Sequence, residues 1–223
     1  MSIFDPHQFT GDMVEVFTNP HGLYEGDLQH YARVVFAAPN IHHGFHGLRH
    51  MLHVMWVCYK ACIYYRELEM LDARQCRNLL IGVALHDFDH TGKAGDDAVN
   101  LRRAVTGMYT VLAPEDIPYG PTIQKIMEAS QYPHKDLGPN PSLEELILRD
   151  ADMTQALGPA WIGEILAGYG SELGKTPIEM LETQLGFLAN LHFATEFGKT
   201  YFGRPAIDAK VAETKGLLAI LKG

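Results

Sequence analysis

The sequence predicts an all-α fold, and three observations support this prediction. Apolar residues recur at helical spacing in several long segments, most clearly over 47–71. Helix-capping patterns begin at Asp72, Ser142 and Thr176, each followed three residues later by Gln or Glu. No segment alternates apolar and polar residues for long enough to indicate a strand. We therefore expect a compact domain of many helices without a β-sheet.

Prolines and capping residues set the boundaries of the expected helices. In chain order, the expected helices cover 24–37, 47–71, 73–87, 97–112, 122–131, 143–153, 160–168, 177–198 and 206–221. The first and fourth end before Pro39 and Pro114, because proline disfavours helical conformation in the residue before it. Pro177 follows a capping residue, a favoured place for proline at a helix start. The apolar last helix packs either on its own domain or on a second subunit, and the sequence leaves the oligomeric state open.

Composition and charge exclude several classes of protein. The 223 residues are 47% hydrophobic and contain no repeat or convincing linker, which indicates one domain over 1–223 with a peripheral segment at 1–22. The net charge of −9 disfavours binding to nucleic-acid phosphates. The N-terminus does not resemble a signal peptide. The longest apolar run, Leu79–Leu85, is far shorter than the roughly 20 residues of a membrane span. We expect a cytoplasmic protein without a membrane partner.

Two histidine clusters are the most informative feature of the composition. One cluster follows the apolar run Leu79–Leu85 and reads His86-Asp87-x-Asp89-His90. Burying an ionised aspartate beside imidazoles costs several kcal/mol unless its charge is compensated. A divalent metal compensates it, since histidine and carboxylate are common metal ligands. The alternative is a solvated helix end on the surface, which the apolar residues upstream disfavour.

The second cluster contains His46, His50 and His53. On a helix, residues four apart share a face, so His46 and His50 would point the same way. The surrounding residues are apolar, so this helix is expected to be buried, and buried histidines need partners. A pair of carboxylates, Asp150 and Asp152, follows a third apolar run. Only one of them can share the inward face of its helix, and either is able to complete a site.

Four segments together resemble the catalytic domain of cyclic nucleotide phosphodiesterases, within the HD-domain superfamily of metal-dependent phosphohydrolases. They are FHGLRH at 45–50, HDFDHTG at 86–92 with Asn100 downstream, ADMTQ at 151–155 and TQLGFL at 183–188. The segments occur in the order of that family and span a motif core of about 45–190. The resemblance implies an all-α phosphodiesterase-like domain.

The resemblance also implies a metal site and an acid catalyst. It assigns the ligands of a first metal to His50, His86, Asp87 and Asp152. Asp87 would bridge to a second ion, with Zn, Mn or Fe in the first site and Mg or Mn in the second. A hydroxide between the two metals would attack phosphorus, and His46 would act as general acid. His90 would orient the phosphate. The resemblance does not identify a partner that orients His46.

The same resemblance implies a pocket for a purine base. Gln184 would hydrogen-bond the base edge and Phe187 would stack on its ring, with Gln155 and Asn100 also near the substrate. The expected activity is hydrolysis of a purine 3′,5′-cyclic mononucleotide to the 5′-monophosphate. An alternative, suggested by Gly47 in place of the family's asparagine, is hydrolysis of another small phosphate ester such as a nucleoside monophosphate.

Two further alternatives remain open from the sequence. A diiron oxygenase of the HD type would need additional histidine ligands, for which His134 is the obvious candidate. A binding domain that had lost catalysis would have no reason to keep all four ligands.

Overall fold

The computed structural model describes residues 13–93, 95, 97–134 and 136–223, and this part of the chain contains helices and no strand. A helical turn covers 13–18. The α-helices that follow, α1 to α10, are Gln29–Phe36, Leu48–Glu67, Ala73–Leu85, Asp97–Val111, Gly120–Glu128, Leu143–Asp152, Gly170–Leu173, Pro177–Asn190, Glu196–Phe202 and Arg204–Lys222. Two 3₁₀ turns, Ile117–Tyr119 and Thr154–Leu157, and a π-helix, Ile162–Tyr169, lie between them. The predicted all-α class is confirmed.

Helices α2 and α3 form the centre of the fold. Every residue of α3 from Cys76 to Leu85 is buried, and α3 packs along α2 and against α6. Each fully buried Leu or Ile contributes about 1.5–3 kcal/mol to folding, so this apolar run fixes α3 in the core. The C-terminal end of α3 therefore delivers His86 and Asp87 to the interior. None of the described helices is long and apolar enough to span a membrane.

The three predicted capping boxes are confirmed and begin helices that carry site residues. The side chains of Asp72, Ser142 and Thr176 each accept a hydrogen bond from the backbone N–H three residues later, at the starts of α3, α6 and α8. An N-cap of this kind stabilises a helix by about 1 kcal/mol. These local signals fix where each helix starts, and so fix which residues reach its far end.

The helix predicted over 177–198 is wrong at its C-terminal end, because α8 stops at Asn190 and α9 starts after Thr195. The buried carboxylate of Asp150 accepts hydrogen bonds from Ala194 N (2.9 Å), Thr195 N (2.8 Å) and Thr195 Oγ1 (2.6 Å). Thr195 Oγ1 in turn accepts from Gly198 N. Asp150 thus holds the turn between the two helices, and this leaves Asp152 as the carboxylate that faces the site.

Part of the segment expected to be peripheral contributes to the core. Val16 and Phe17 are buried among the main cluster of apolar side chains, while residues 1–12 lie outside the described part of the chain. A second, smaller cluster contains Ala156, Trp161, Ile165, Met180 and Leu181. Phe187 packs against both clusters. The smaller cluster forms one wall of the cavity described next.

Candidate active site

Three helix ends bring His50, His86, Asp87 and Asp152 together. His50 lies in the first turn of α2, Asp152 is the last residue of α6, and the other two follow α3. The Nε2 atoms of His50 and His86 are 3.4 Å apart, and each is 3.4 Å from Asp87 Oδ2. Asp152 Oδ1 lies 2.9 Å from His50 Nε2 and 3.6 Å from His86 Nε2. Three distant parts of the sequence therefore bring possible ligand atoms together: His50, His86 and Asp87 form one group, and Asp152 lies beside its two histidines.

The hydrogen bonds behind the two imidazoles fix their tautomers. His86 Nδ1 donates to the backbone oxygen of Val83 over 2.7 Å, and His50 Nδ1 donates to Gln155 Oε1 over 2.6 Å. With Nδ1 protonated, a neutral imidazole presents the lone pair of Nε2. With a cation bound, both lone pairs would point at the ion together with the carboxylates. This is the usual arrangement of metal-binding histidines, whose other nitrogen donates to an oxygen. Without a cation, Asp87 and Asp152 raise the pKa of His86 to about 9 despite its burial.

The cluster fits a divalent cation. Asp87 Oδ2 is buried and has no hydrogen-bond partner, although buried polar atoms normally have one. Burial raises the pKa of Asp152, but its contacts with His50 and His86 lower it further, so this carboxylate is ionised. Ligand atoms about 2.1 Å from one tetrahedral ion lie about 3.4 Å apart. The three separations among His50, His86 and Asp87 match this value, and Asp152 Oδ1 lies near both histidines. These four residues are the ones that the sequence predicted as metal ligands.

His46 does not lie on the helix with His50, contrary to the spacing argument. Helix α2 begins at Leu48, and Gly47 is extended in a tight turn where a Cβ would lie 2.7 Å from the backbone oxygen of His43. The buried side chain of Asn40 holds this loop, since its Nδ2 donates to His46 O (2.6 Å) and to Asp87 O (2.9 Å). The loop nevertheless brings the ring of His46 to 5.9 Å from that of His50, between centroids.

Glu172 is the partner of His46 that the sequence did not identify. Its Oε2 accepts from His46 Nδ1 over 2.6 Å, and its Oε1 accepts from the backbone N–H groups of Phe45 and His46. Burial lowers the pKa of His46, but the hydrogen bond with Glu172 and the charge of Asp87 outweigh this and raise it. The pKa of Glu172 is lowered by the same pair, despite its burial. Glu172 therefore favours the protonated form of His46.

His90 stacks on His46, with ring centroids 3.8 Å apart and planes 18° from parallel. Burial lowers the pKa of His90 to about 4, and the positive charge of His46 acts in the same direction. His90 Nδ1 accepts a hydrogen bond from Gly92 N over 2.9 Å, so Nε2 is the ring nitrogen left for other contacts. A neutral His90 can hydrogen-bond a substrate or water without competing for the proton of His46.

A cavity of about 650 Å³ opens over the ligand cluster. Its lining includes eight of the ten predicted site residues, namely His46, His86, Asp87, His90, Asn100, Asp152, Gln184 and Phe187. The other two, His50 and Gln155, are buried and bonded to each other. Gln155 thus lies against a metal ligand, where the resemblance had placed it near the substrate. Lys93 and Lys175 also line the cavity, and both are exposed.

One wall of the cavity carries Gln184 and Phe187, on adjacent turns of α8. Gln184 Nε2 donates to the backbone oxygen of Ala156 over 3.3 Å, and the side chain is buried. This bond fixes the orientation of the amide. The Oε1 atom and the second N–H of the amide remain able to hydrogen-bond a ligand. On the opposite side, Asn100 Oδ1 accepts from Thr91 N and holds the segment after His90.

The remaining histidines lie outside the two ligand groups that the described residues form, His50 with His86 and Asp87, and His46 with His90 and Glu172. His53 Nε2 contacts Thr154 Oγ1 at 2.9 Å, and burial lowers its pKa to about 3. His134 packs its ring against Tyr132. His134 belongs to neither ligand group of the described residues, so the structure gives no support to an additional ligand there.

Beyond the four sequence segments, the similarity to known proteins lies in the structure. No family model and no curated protein matches the chain. Among solved structures, the phosphodiesterase domain of Salpingoeca rosetta rhodopsin phosphodiesterase is similar, with a TM-score of 0.67 and 14% sequence identity. The match covers 100% of this chain and 92% of that one. At this identity the likeness establishes the fold, which is that of a phosphodiesterase domain.

Proposed function

We propose that this protein is a metal-dependent phosphohydrolase that converts a purine 3′,5′-cyclic mononucleotide to the 5′-monophosphate. One observation carries the proposal: the pair of His46 and Glu172 lies at the edge of a cavity whose floor is a cluster of metal ligands. A protonated acid beside a site for divalent cations is the combination that phosphate-ester hydrolysis requires.

The metal ions would be held by His50, His86, Asp87 and Asp152, and Asp87 would be shared between two of them. When bound, two divalent ions lower the pKa of a water and neutralise phosphate oxygens. The residues of the chain prepare this site in advance, because Gln155 and the carbonyl of Val83 set the orientation of both imidazoles. We expect Zn, Mn or Fe in the first metal position and Mg or Mn in the second, as in the sequence analysis.

His46 would supply the proton for the leaving group. Water attacks phosphorus and releases a proton to solvent, the bond from phosphorus to the 3′ oxygen breaks, and this oxygen takes a proton from His46, which solvent then replaces. The carboxylate of Glu172 stabilises the protonated imidazole before the reaction and holds its ring in place. His90, neutral and stacked on His46, would position the phosphate.

Gln184 and Phe187 support the choice of a purine nucleotide. A glutamine amide offers one acceptor and one donor to a base. One orientation of the amide complements adenine, and the opposite orientation complements guanine. Because the bond to Ala156 fixes the orientation, we expect a preference for one of the two purines. Phe187 lines the cavity on the same helix and presents a ring for stacking.

The test is to incubate the protein with Mg²⁺ and Mn²⁺ and either cyclic AMP or cyclic GMP, and to separate the products by chromatography. We expect a 5′-monophosphate, formed neither with chelator nor by His46→Ala. His21→Ala, which changes an exposed histidine, is the matched control and should stay active. In Gln184→Ala we expect the preference between the two purines to narrow. No turnover of either nucleotide by the metal-loaded protein would refute the proposed substrate.

A second candidate is the hydrolysis of another small phosphate ester, and Gly95 favours it. Gly95 lines the cavity, and a Cβ at this position would meet nothing within 4 Å, so the cavity is open there. Gly47 does not contribute to this opening, since it is required by the tight turn before α2. Release of phosphate from nucleoside monophosphates, with no reaction of cyclic nucleotides, would favour this candidate.

A further inference from the structure

Two backbone segments touch at a pair of glycines next to the proposed acid catalyst. A Cβ on Gly168 would overlap the backbone oxygen of Gly44 and lie 2.8 Å from its carbonyl carbon. A Cβ on Gly44 would lie 2.7 Å from the backbone oxygen of Gly168 and 3.1 Å from its Cα. Both neighbours are main-chain atoms, which cannot turn aside as a flexible side chain does. Neither position therefore accepts a side chain unless the two segments separate.

These segments are the ones that carry His46 and Glu172. Gly44 precedes the loop residues Phe45 and His46, and Gly168 lies near the end of the π-helix, four residues before Glu172. The Tyr169 ring packs at 4.9 Å from that of Phe45, between centroids. Three contacts thus join the two segments: the glycine pair, the two aromatic rings, and the bonds of Glu172. The glycine pair is the contact that leaves no room for a side chain.

We propose that Gly168 is a positioning residue for the general acid, because its missing side chain sets the distance across which Glu172 holds His46. The proposal rests on the proposed function, in which His46 protonates the leaving oxygen. Gly168 is not among the residues that line the cavity, and it acts by letting the π-helix approach the loop. The three bonds that Glu172 makes to Phe45 and His46 form only at this separation.

The geometry gives the size of the effect. In Gly168→Ala, the new methyl group must reach ordinary contact distance from Gly44, which separates the segments by roughly 1 Å. The bond between His46 Nδ1 and Glu172 Oε2, now 2.6 Å, would then exceed the range of a strong hydrogen bond. A misplacement of about 1 Å in a catalytic arrangement can lower the rate about 100-fold.

The test compares Gly168→Ala with Gly163→Ala, a matched control on the same π-helix where a Cβ meets nothing within 4 Å. Two substrates are used, the preferred cyclic nucleotide and bis(p-nitrophenyl) phosphate, whose phenolate leaves without a proton. We expect Gly168→Ala to lose about 100-fold in kcat toward the nucleotide and only a few-fold toward the activated ester. Gly163→Ala should match the parent on both. Equal losses on both substrates, or no loss on either, would overturn the proposal.

Two further measurements keep the test decisive. In proton NMR spectra, the short bond of His46 Nδ1–H should give a downfield signal that is absent in Glu172→Gln. We expect Gly168→Ala to lose this signal and Gly163→Ala to keep it, whether or not the parent hydrolyses nucleotides. The spectra therefore separate a failure of this proposal from a failure of the proposed function. If Gly168→Ala does not fold, Gly44→Ala tests the same contact from its other side, and an intact signal there contradicts the proposal.

Discussion

Replacing Glu172 by glutamine removes the negative charge beside His46 while keeping the size of the side chain. The Glu172 side chain is only 6% exposed, so water screens its interaction with His46 weakly. A hydrogen bond to a charged group is worth about 1.5–3 kcal/mol. Since about 1.4 kcal/mol corresponds to a factor of ten, we expect kcat toward a cyclic nucleotide to fall roughly 10- to 150-fold.

The same substitution should change the pH dependence of the reaction. In the parent, the raised pKa of His46 keeps its acid form present to higher pH, and activity is lost as the pH rises through that pKa. Without the Glu172 charge, burial dominates and the pKa of His46 falls. The basic limb of the pH–rate profile should therefore move to lower pH in Glu172→Gln.

The assay is the pH dependence of kcat for the preferred cyclic nucleotide, measured with saturating Mg²⁺ or Mn²⁺. Glu196→Gln, which changes a glutamate whose side chain is 72% exposed, serves as the control and should reproduce the parent profile. An unchanged rate together with an unchanged basic limb in Glu172→Gln would refute the assignment of His46 as the acid held by this carboxylate.

Three other outcomes concern Asp87, Asp150 and the metal itself. In Asp87→Asn, we expect elemental analysis to show loss of bound metal and turnover to fall roughly 10³-fold or more, since metal ions contribute several kcal/mol to such reactions; retained metal contradicts the ligand assignment. In Asp150→Asn, we expect unchanged metal content but a free energy of unfolding lower by about 2–3 kcal/mol in urea titration, because the turn through Thr195 loses a charged acceptor; unchanged stability argues against that role. Adding Zn²⁺ or Mn²⁺ to chelator-treated protein should raise the Tm, since an ion that binds only the folded state stabilises it, and a Tm that does not respond would count against a structured ligand cluster.

The features predicted correctly from the sequence are those with local causes. Each capping box involves residues three apart. The burial of the apolar run before His86 follows from the preference of leucine and isoleucine for the core. The four proposed metal ligands were named from the family resemblance, and in the structure each one lies at or next to a helix end. Their meeting follows when those helices pack together.

The features that were missed depend on contacts between residues far apart in sequence. Glu172 bonds to a histidine 126 positions away, and no spacing rule links the two residues. Asn40 likewise joins the loop before α2 to the end of α3. The end of α8 had a local signal, because Thr195 is a good N-cap for a helix starting at Glu196. The decisive acceptor for that turn, Asp150, is again distant in sequence.

The acidic net charge does not oppose the proposed anionic substrate, because charge acts locally. Asp87 and Asp152 place two negative charges at the floor of the cavity, and Glu172 is compensated by His46. Two divalent ions would add four positive charges to this floor, and Lys93 and Lys175 line the same cavity. The cavity is therefore positive only when metal is bound, so a phosphate ester should bind the metal-loaded protein far better than the metal-free one. A polyanion such as a nucleic acid must instead contact the acidic outer surface, where the net charge of −9 opposes it.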